Sequence, residues 1–514
     1  MLLGYVSDER FVALEDVAVE IIGNGASIAT HSRASGAIHA DLGPGTYEIT
    51  LSCAGFGGKR VNVSLPLAEP LQFRLLADNL LGYAWPKWAR AGEKSEWRVH
   101  SVEPYKLGLW RYGAQKEFIR NLGWYDDHGP RATAQLLPDG DFTQSGVQWN
   151  QRGYGSAWHQ QRIVAPDRSG LYYFHARTAA GEFFSFPWIV MPAVPKSKTC
   201  VLTSNITWNA YNIFGGRSNY VNQNSLPPRP VVHTRSELNR FLRPGEWPFE
   251  ISGAPLSFDR PETFNSVPEN DDITSPIEGR LSSAMAPAEW RLLGWMEREG
   301  FDYDLYSETE LHWDRIPLGQ YRVLVLNTHP EYWTKEMYFR VKDWVFNRGG
   351  KLMYLGGCGM YAELEFLDEQ TMICRREEPH DMRGEPSAKL LGVAYSHAGY
   401  QSGAPYRVLD ETHWAFAGTG LNRDDLFGHF SLHERCPGGA SAHELDKICA
   451  DSPANLRHLA RGDNPEESGA DLVTFDTPSG GAVFSTGSLC WTLSIAVDEG
   501  VSQVTANVLR KFLQ

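Results

Sequence analysis

The first quarter of the chain alternates apolar and polar positions. VAVEIIG, GAIHADLGPGTYEITLSCAGF and KRVNVSLPL keep the period of two that lines one face of a strand, and Gly43-Pro44-Gly45 marks a reversal. Residues 1–77 are therefore expected to form a small β-sandwich. A second series follows in SEWRVHSVE, YKLGLWRYG, GVQWNQR and GLYYFHARTAAGEFFSFPWIVM, punctuated by Gly, Pro and Asp. It predicts another sandwich over 78–195, and the short polar, Pro-bearing AVPKSK at 193–198 suits a boundary.

From 196 to 514 the pattern changes to strand, loop, helix, strand. TCVLTSN reads as a buried strand. PAEWRLLGWMEREG reads as a helix with Trp290, Leu293 and Met296 on one face and Gly300 as its stop. After DYDLYS and RVLVLN, a helix is predicted from about Thr334, because Met337, Val341, Trp344 and Val345 fall at i, i+4, i+7 and i+8 before Gly349-Gly350. KLMYLGG is the next strand. GADLVTFDTP and GAVFSTGS read as a hairpin, and VSQVTANVLRKFL as a closing helix. The expected fold class is multidomain: N-terminal β-sandwich modules ahead of a doubly wound, flavodoxin- or glutamine-amidotransferase-like α/β region at 196–514.

Composition narrows the function. A chain of 514 residues exceeds what one core holds, since single cores stop growing at roughly 250–300 residues. With 42% hydrophobic and 21% charged residues it reads as an ordinary folded protein. A formal charge of -14 disfavours nucleic acid and anionic membranes and suits a neutral or cationic small molecule. The seven cysteines show neither CxxC nor zinc-finger spacing, so reduced thiols and a cytoplasmic location are expected. No basic segment precedes a long apolar one, and no run reaches membrane-span length.

Ligands of an open parallel sheet bind beyond the carboxyl ends of its strands. That rule selects TWNAYNIFGGRSNY, THPEYW and GGCGMY. In the second, His329 and Glu331 are two apart across Pro330, so both can face one site. A carboxylate, an imidazole and a phenolate, here from Tyr211, favour a hard or borderline Lewis acid such as iron; no HExxH competes. The local alternative is that His329 caps the following helix and Glu331 occupies its first turn. Tyr211 alone reads equally as a packed tyrosine. Cys358 follows its strand through glycines like the nucleophile elbow of class I glutamine amidotransferases, but Met360 breaks G-x-C-x-G and no His-x-Glu pair lies downstream. A small buried cysteine in a tight turn is the alternative.

Taken together, TWNAYNIFGGRSNY (207–220), SFDRP (257–261), THPEYW (328–333), RGGKLMYLGGCGMY (348–361) and AHELDK (442–447) resemble the large subunit of the N,N-dimethylformamidase family. The resemblance covers 198–514, while the PGTYEITLSCAGF strand is similar to transthyretin-like modules. It implies a mononuclear iron site, ferric by preference with zinc as the second choice, held by tyrosine oxygens and a glutamate and hydrolysing small N-substituted formamides. Tyr211 and Glu331 would be ligands, His329 a ligand or base, and Glu444 a proton-shuttling carboxylate. Two positions depart from the pattern. A second tyrosine belongs near SFDRP, and Glu262, Tyr220 or nothing takes its place; the glycine loop usually carries Asn where this chain has Cys358. A homo-oligomer, with or without a small accessory subunit, is implied. The rivals are a metal-free thiol hydrolase built on Cys358 and a non-catalytic protein holding a carbohydrate or peptide.

Overall fold

A computed structural model describes residues 1–125, 161–214, 218–219, 229–232, 255–377 and 383–514. The N-terminal alternation produces two facing sheets. One orders Ala37–His39, Leu2–Asp8 and Leu71–Leu75; the other orders Ala26–His31, Ala18–Gly23, Gly45–Ser52 and Lys59–Leu65. Along Gly45–Ser52 only Tyr47, Ile49 and Leu51 are buried, and they meet Leu3, Val6 and Phe73 of the opposite sheet.

The next sheets are three-stranded (Arg162–Val164, Lys94–His100, Leu81–Trp85) and five-stranded (Lys116–Tyr125, Tyr105–Tyr112, Gly170–Thr178, Phe183–Met191, Trp88–Arg90). Trp97, Leu109, Phe174 and Trp188 fill the space between them. Gly170–Thr178 is apolar almost throughout because both its faces are covered. Tyr173, with Tyr112 and Ile189 of neighbouring strands, packs outward into the core of the C-terminal region. The expected strand GVQWNQR lies outside the described residues.

The C-terminal region is organised by a nine-stranded sheet. Its order is Asp304–Ser307, Thr199–Thr203, Val323–Thr328, Lys351–Gly356, Ala482–Ser485, Asp471–Asp476, Arg457–Gly462, Tyr406–Val408, Leu426–Phe427. The first five strands run parallel; the rest continue antiparallel. Helices Ala286–Arg298, Lys335–Arg348 and Glu499–Leu513 accompany it. Thr334 Oγ1 accepts from Met337 N at 3.2 Å to start the second, and Gly349, at φ 75°, ends it.

The multidomain, β-rich character of the chain is as expected, but a uniformly doubly wound α/β region is not what forms. Asp471–Asp476 and Ala482–Ser485 form the hairpin expected from GADLVTFDTP and GAVFSTGS, and residues 406–462 extend the sheet with further antiparallel strands, two to six residues each, too brief to leave a periodic signal. Leu256–Ser257, Thr371–Glu377, Ala362–Asp368 and Tyr332–Trp333 build a separate four-stranded sheet beyond the parallel strands' carboxyl ends. No helix among the described residues is long and apolar enough to cross a membrane.

Candidate metal centre

Two adjacent parallel strands, Val323–Thr328 and Lys351–Gly356, end side by side and turn sharply. Thr328 adopts φ 52°, a costly conformation for a β-branched residue. Its hydroxyl is anchored 2.9 Å from both the Asn327 side chain and the Thr492 hydroxyl. His329 N then donates to Asn327 O (2.7 Å) and Glu331 N to His329 O (2.9 Å), which presents both side chains at the strand end. The neighbouring loop is equally constrained: Cys358 has φ 55° and Met360 φ 54°. Glycines let these loops pack backbone on backbone. A Cβ on Gly356 would stand 2.2 Å from Thr328 O, and one on Gly357 would stand 2.4 Å from Glu444 O. Non-glycine residues in this conformation, His443 at φ 71° among them, cluster where a surrounding structure over-determines them, as functional sites do.

The segment 207–214, read from sequence as a loop, begins inside a short helix, Asn205–Tyr211. Ser204 N and Trp208 Nε1 each donate at 2.9 Å to Glu289 Oε1 from the helix Ala286–Arg298. Burial pushes this Glu289 carboxyl up to about 8, against those hydrogen bonds. Thr207 Oγ1 accepts from Glu331 N at 3.2 Å, and Tyr211, one turn later, lies on the same helix face. Its ring centroid is 5.8 Å from that of His329. From the other side AHELDK brings Glu444 and Asp446. The Asp446 carboxylate accepts from Tyr354 OH (2.7 Å) and Cys358 N (2.8 Å), so it fixes the cysteine turn.

The result is a buried cluster of acidic and soft donors. His329, Glu331 and Glu444 are exposed by only 2%, 3% and 5%. His329 Nε2 lies 2.8 Å from Glu444 Oε2 and 3.2 Å from Glu331 Oε2. Neither imidazole nitrogen makes a well-directed hydrogen bond among the described residues, nor does Glu444 Oε2. Burial opposes charge on His329, yet the Glu444 and Glu331 carboxylates outweigh it and hold the imidazole above its ordinary value. Burial likewise works against Glu444, but His329 draws it down to about 2. Burial, then Glu331 and Glu444, push the Tyr211 phenol well above 10, so a phenolate there calls for a nearby cation. The Arg280 guanidinium, 42% exposed and beside Tyr400, lies 4.0 Å from Glu444.

The fold thus gathers Tyr211, His329, Glu331 and Glu444 in one place. Glu262 is not among them: its oxygens are 2.5 Å from Lys87 Nζ and 3.0 Å from Asn265 Nδ2, against the second sandwich. Tyr220 lies outside the described residues. His329 does not cap the next helix and Glu331 is not in its first turn, because Thr334 is the cap and the helix begins at Lys335. Cys358 is a buried cysteine in a tight turn, as one reading had it, but the turn brings it to the cluster. One donor atom from each of His329, Glu331 and Cys358 lie within 4.8 Å of one another. Sequence reasoning missed Asp446 and Arg280. Asp446 stands two residues from Glu444, the period of an extended chain, and that spacing was the available signal. Nothing local marks Arg280.

This donor set fits a metal ion. Ligands about 2.0–2.3 Å from one ion stand within about 4.6 Å of each other, close to the spacing found, and the undirected imidazole nitrogens are what such an ion would satisfy.

Residues 118–505 match a family described as N,N-dimethylformamidase beta subunit-like, C-terminal. The N,N-dimethylformamidase beta subunit of Paracoccus aminophilus is 27% identical over 286 residues, and that of an Alcaligenes species 26% over 286 residues. Each alignment covers 44% of this chain and 37% of the relative, so the chain spans little more than a third of the curated relatives it matches. Among solved structures, a ThuA-like protein of Bacteroides uniformis overlaps 46% of this chain and 88% of its own, at 12% identity and a TM-score of 0.30.

Proposed function

Since this chain belongs to the N,N-dimethylformamidase beta subunit-like family, we propose that it is a metal-dependent amidohydrolase that cleaves the C–N bond of a small N-substituted amide or formamide, releasing an amine and a carboxylate. The observation that carries the reading is the cluster of buried His329, Glu331 and Glu444 beside the partly buried Tyr211 at the ends of parallel strands, where two carboxylates share one imidazole. Tyr211, Glu331 and His329 would hold the ion. Iron, ferric by preference, is the cofactor this reading takes, with zinc second. A bound ion of this kind polarises an amide carbonyl and lowers the pKa of water.

This chain's own residues account for the proton. An amide nitrogen leaves poorly unless protonated, so a general acid is required close to the scissile bond. Glu444 Oε2 and His329 Nε2, 2.8 Å apart, can accept a proton from attacking water and deliver it to the departing amine without bulk solvent. Tyr211, fixed through its helix by Glu289, excludes water and orients the carbonyl side of the substrate. Arg280 lies over the Tyr400 ring and 4.0 Å from Glu444, beside the cluster.

We further read the region from 196 onward, with its five parallel strands and their antiparallel extension, as the catalytic domain, and 1–77 and 78–195 as two accessory sandwiches. The naming of the relatives as beta subunits supports a multi-subunit enzyme. The test is metal analysis of the purified chain together with amine release from a formamide panel before and after chelation. Near-stoichiometric metal with turnover lost on chelation supports the reading. Absence of metal and turnover would shift it to the non-catalytic binding protein.

A further inference from the structure

We propose that Cys358 supplies a thiolate to the metal held by His329 and Glu331, making this chain's centre a nitrogen, oxygen and sulfur site suited to a borderline divalent ion. The inference rests on the metal reading above and departs from its phenolate-and-carboxylate ferric picture. Three observations carry it. The donor atoms of Cys358, His329 and Glu331 lie mutually within 4.8 Å, and all three residues are buried. His329, at the centre of the group, is 98% buried; its Nε2 stands 2.8 Å from Glu444 Oε2 and 3.2 Å from Glu331 Oε2, and its Nδ1 makes no hydrogen bond among the described residues.

The third observation is that the cysteine is held rather than merely present. Its left-handed backbone, φ 55°, is a strained state for this residue type. Asp446, braced by Tyr354, clamps its amide at 2.8 Å. A Cβ on Gly357 would meet Glu444 O at 2.4 Å and one on Gly359 the Tyr354 ring at 2.6 Å, so the turn is closely packed on both sides of the cysteine.

Charge follows. A thiolate and the Glu331 carboxylate neutralise a divalent ion, with neutral His329 as the third donor; the thiol proton leaves to solvent as the sulfur–metal bond forms. Sulfur shifts preference from ferric iron toward zinc or ferrous iron. With Glu262 committed to Lys87, sulfur also provides a further donor that the SFDRP segment does not.

The experiment is cobalt(II) substitution of the full chain, followed by absorption spectroscopy and cobalt quantitation for wild type and Cys358→Ser. Expected are near-stoichiometric cobalt and an intense near-ultraviolet thiolate-to-cobalt band in wild type. Cys358→Ser should lose that band while retaining cobalt through His329 and Glu331. Cobalt bound in wild type without the band overturns the proposal and leaves the metal reading standing. The wild-type spectrum decides this point even if the variant fails to fold. No cobalt bound by wild type overturns both. A band that persists in folded Cys358→Ser assigns it to another cysteine and overturns the proposal. Amide turnover by metal-free wild type that dies on alkylation makes Cys358 a nucleophile and overturns it too.

Discussion

Glu262 and the pair Glu331 and Glu444 are buried acidic groups that differ in what faces them. At Glu262 the carboxylate faces Lys87 at 2.5 Å and Asn265 at 3.0 Å, so charge and hydrogen bonding close within the protein. At Glu331 and Glu444 two carboxylates face one imidazole, with a phenol and a thiol close by, and the Arg280 guanidinium is 4.0 Å from Glu444 and 42% exposed. Burying ionised groups costs several kcal/mol unless they are compensated, and here two carboxylates share one imidazole, an excess of negative charge that a bound cation would offset. The Lys87 pair serves the fold; the His329 cluster serves a ligand.

That contrast can be broken from either side. The largest effect is expected at Glu331→Ala, which should take metal content and amine release together to background while leaving the unfolding midpoint close to wild type; elemental analysis beside a turnover assay decides it. Glu444→Gln should keep the metal and lower kcat by about 10²- to 10⁴-fold, the usual worth of a positioned acid or base; loss of metal instead would make Glu444 a ligand. On the structural side, Glu262→Ala should cost about 3–5 kcal/mol in urea unfolding, because it strands a buried lysine, with metal content per folded molecule unchanged. Asp446→Asn should weaken metal affinity by about 10- to 100-fold, as partners of ligand-bearing groups do, read by chelator competition.

The smallest and most graded effect is in pH. Glu289 titrates near 8 in the folded chain against an ordinary 4.5, since burial favours its neutral form. A raised folded-state value means that folding takes up a proton. The stability linked to Glu289 is therefore complete below about 4.5 and lost as pH rises toward 8, at up to about 1.4 kcal/mol per pH unit. Glu289→Gln should flatten that slope in denaturant titrations; an unchanged slope would remove Glu289 as its source.

Much of this protein was written locally. Alternation at residues such as Tyr47, Ile49 and Leu51, and the i, i+4, i+7 spacing of Met337, Val341 and Trp344, dictated strands and helices because each needs only one apolar face buried. Thr334 and Gly349 set a helix's ends by short-range hydrogen bonding and backbone preference. The pairing of His329 with Glu331 was legible because both lie on one strand-end turn. The remainder needed distances that sequence does not carry. Short antiparallel strands at 406–462 have no period long enough to read, and their place in the sheet follows from hydrogen-bonding edges. Glu262 became a structural ion pair, and Cys358 a neighbour of His329, only when segments far apart in the chain were packed together. Sequence by itself determined which elements form and which residue types could do chemistry. Tertiary structure decided which of them meet, because burial and charge compensation are properties of neighbours in space.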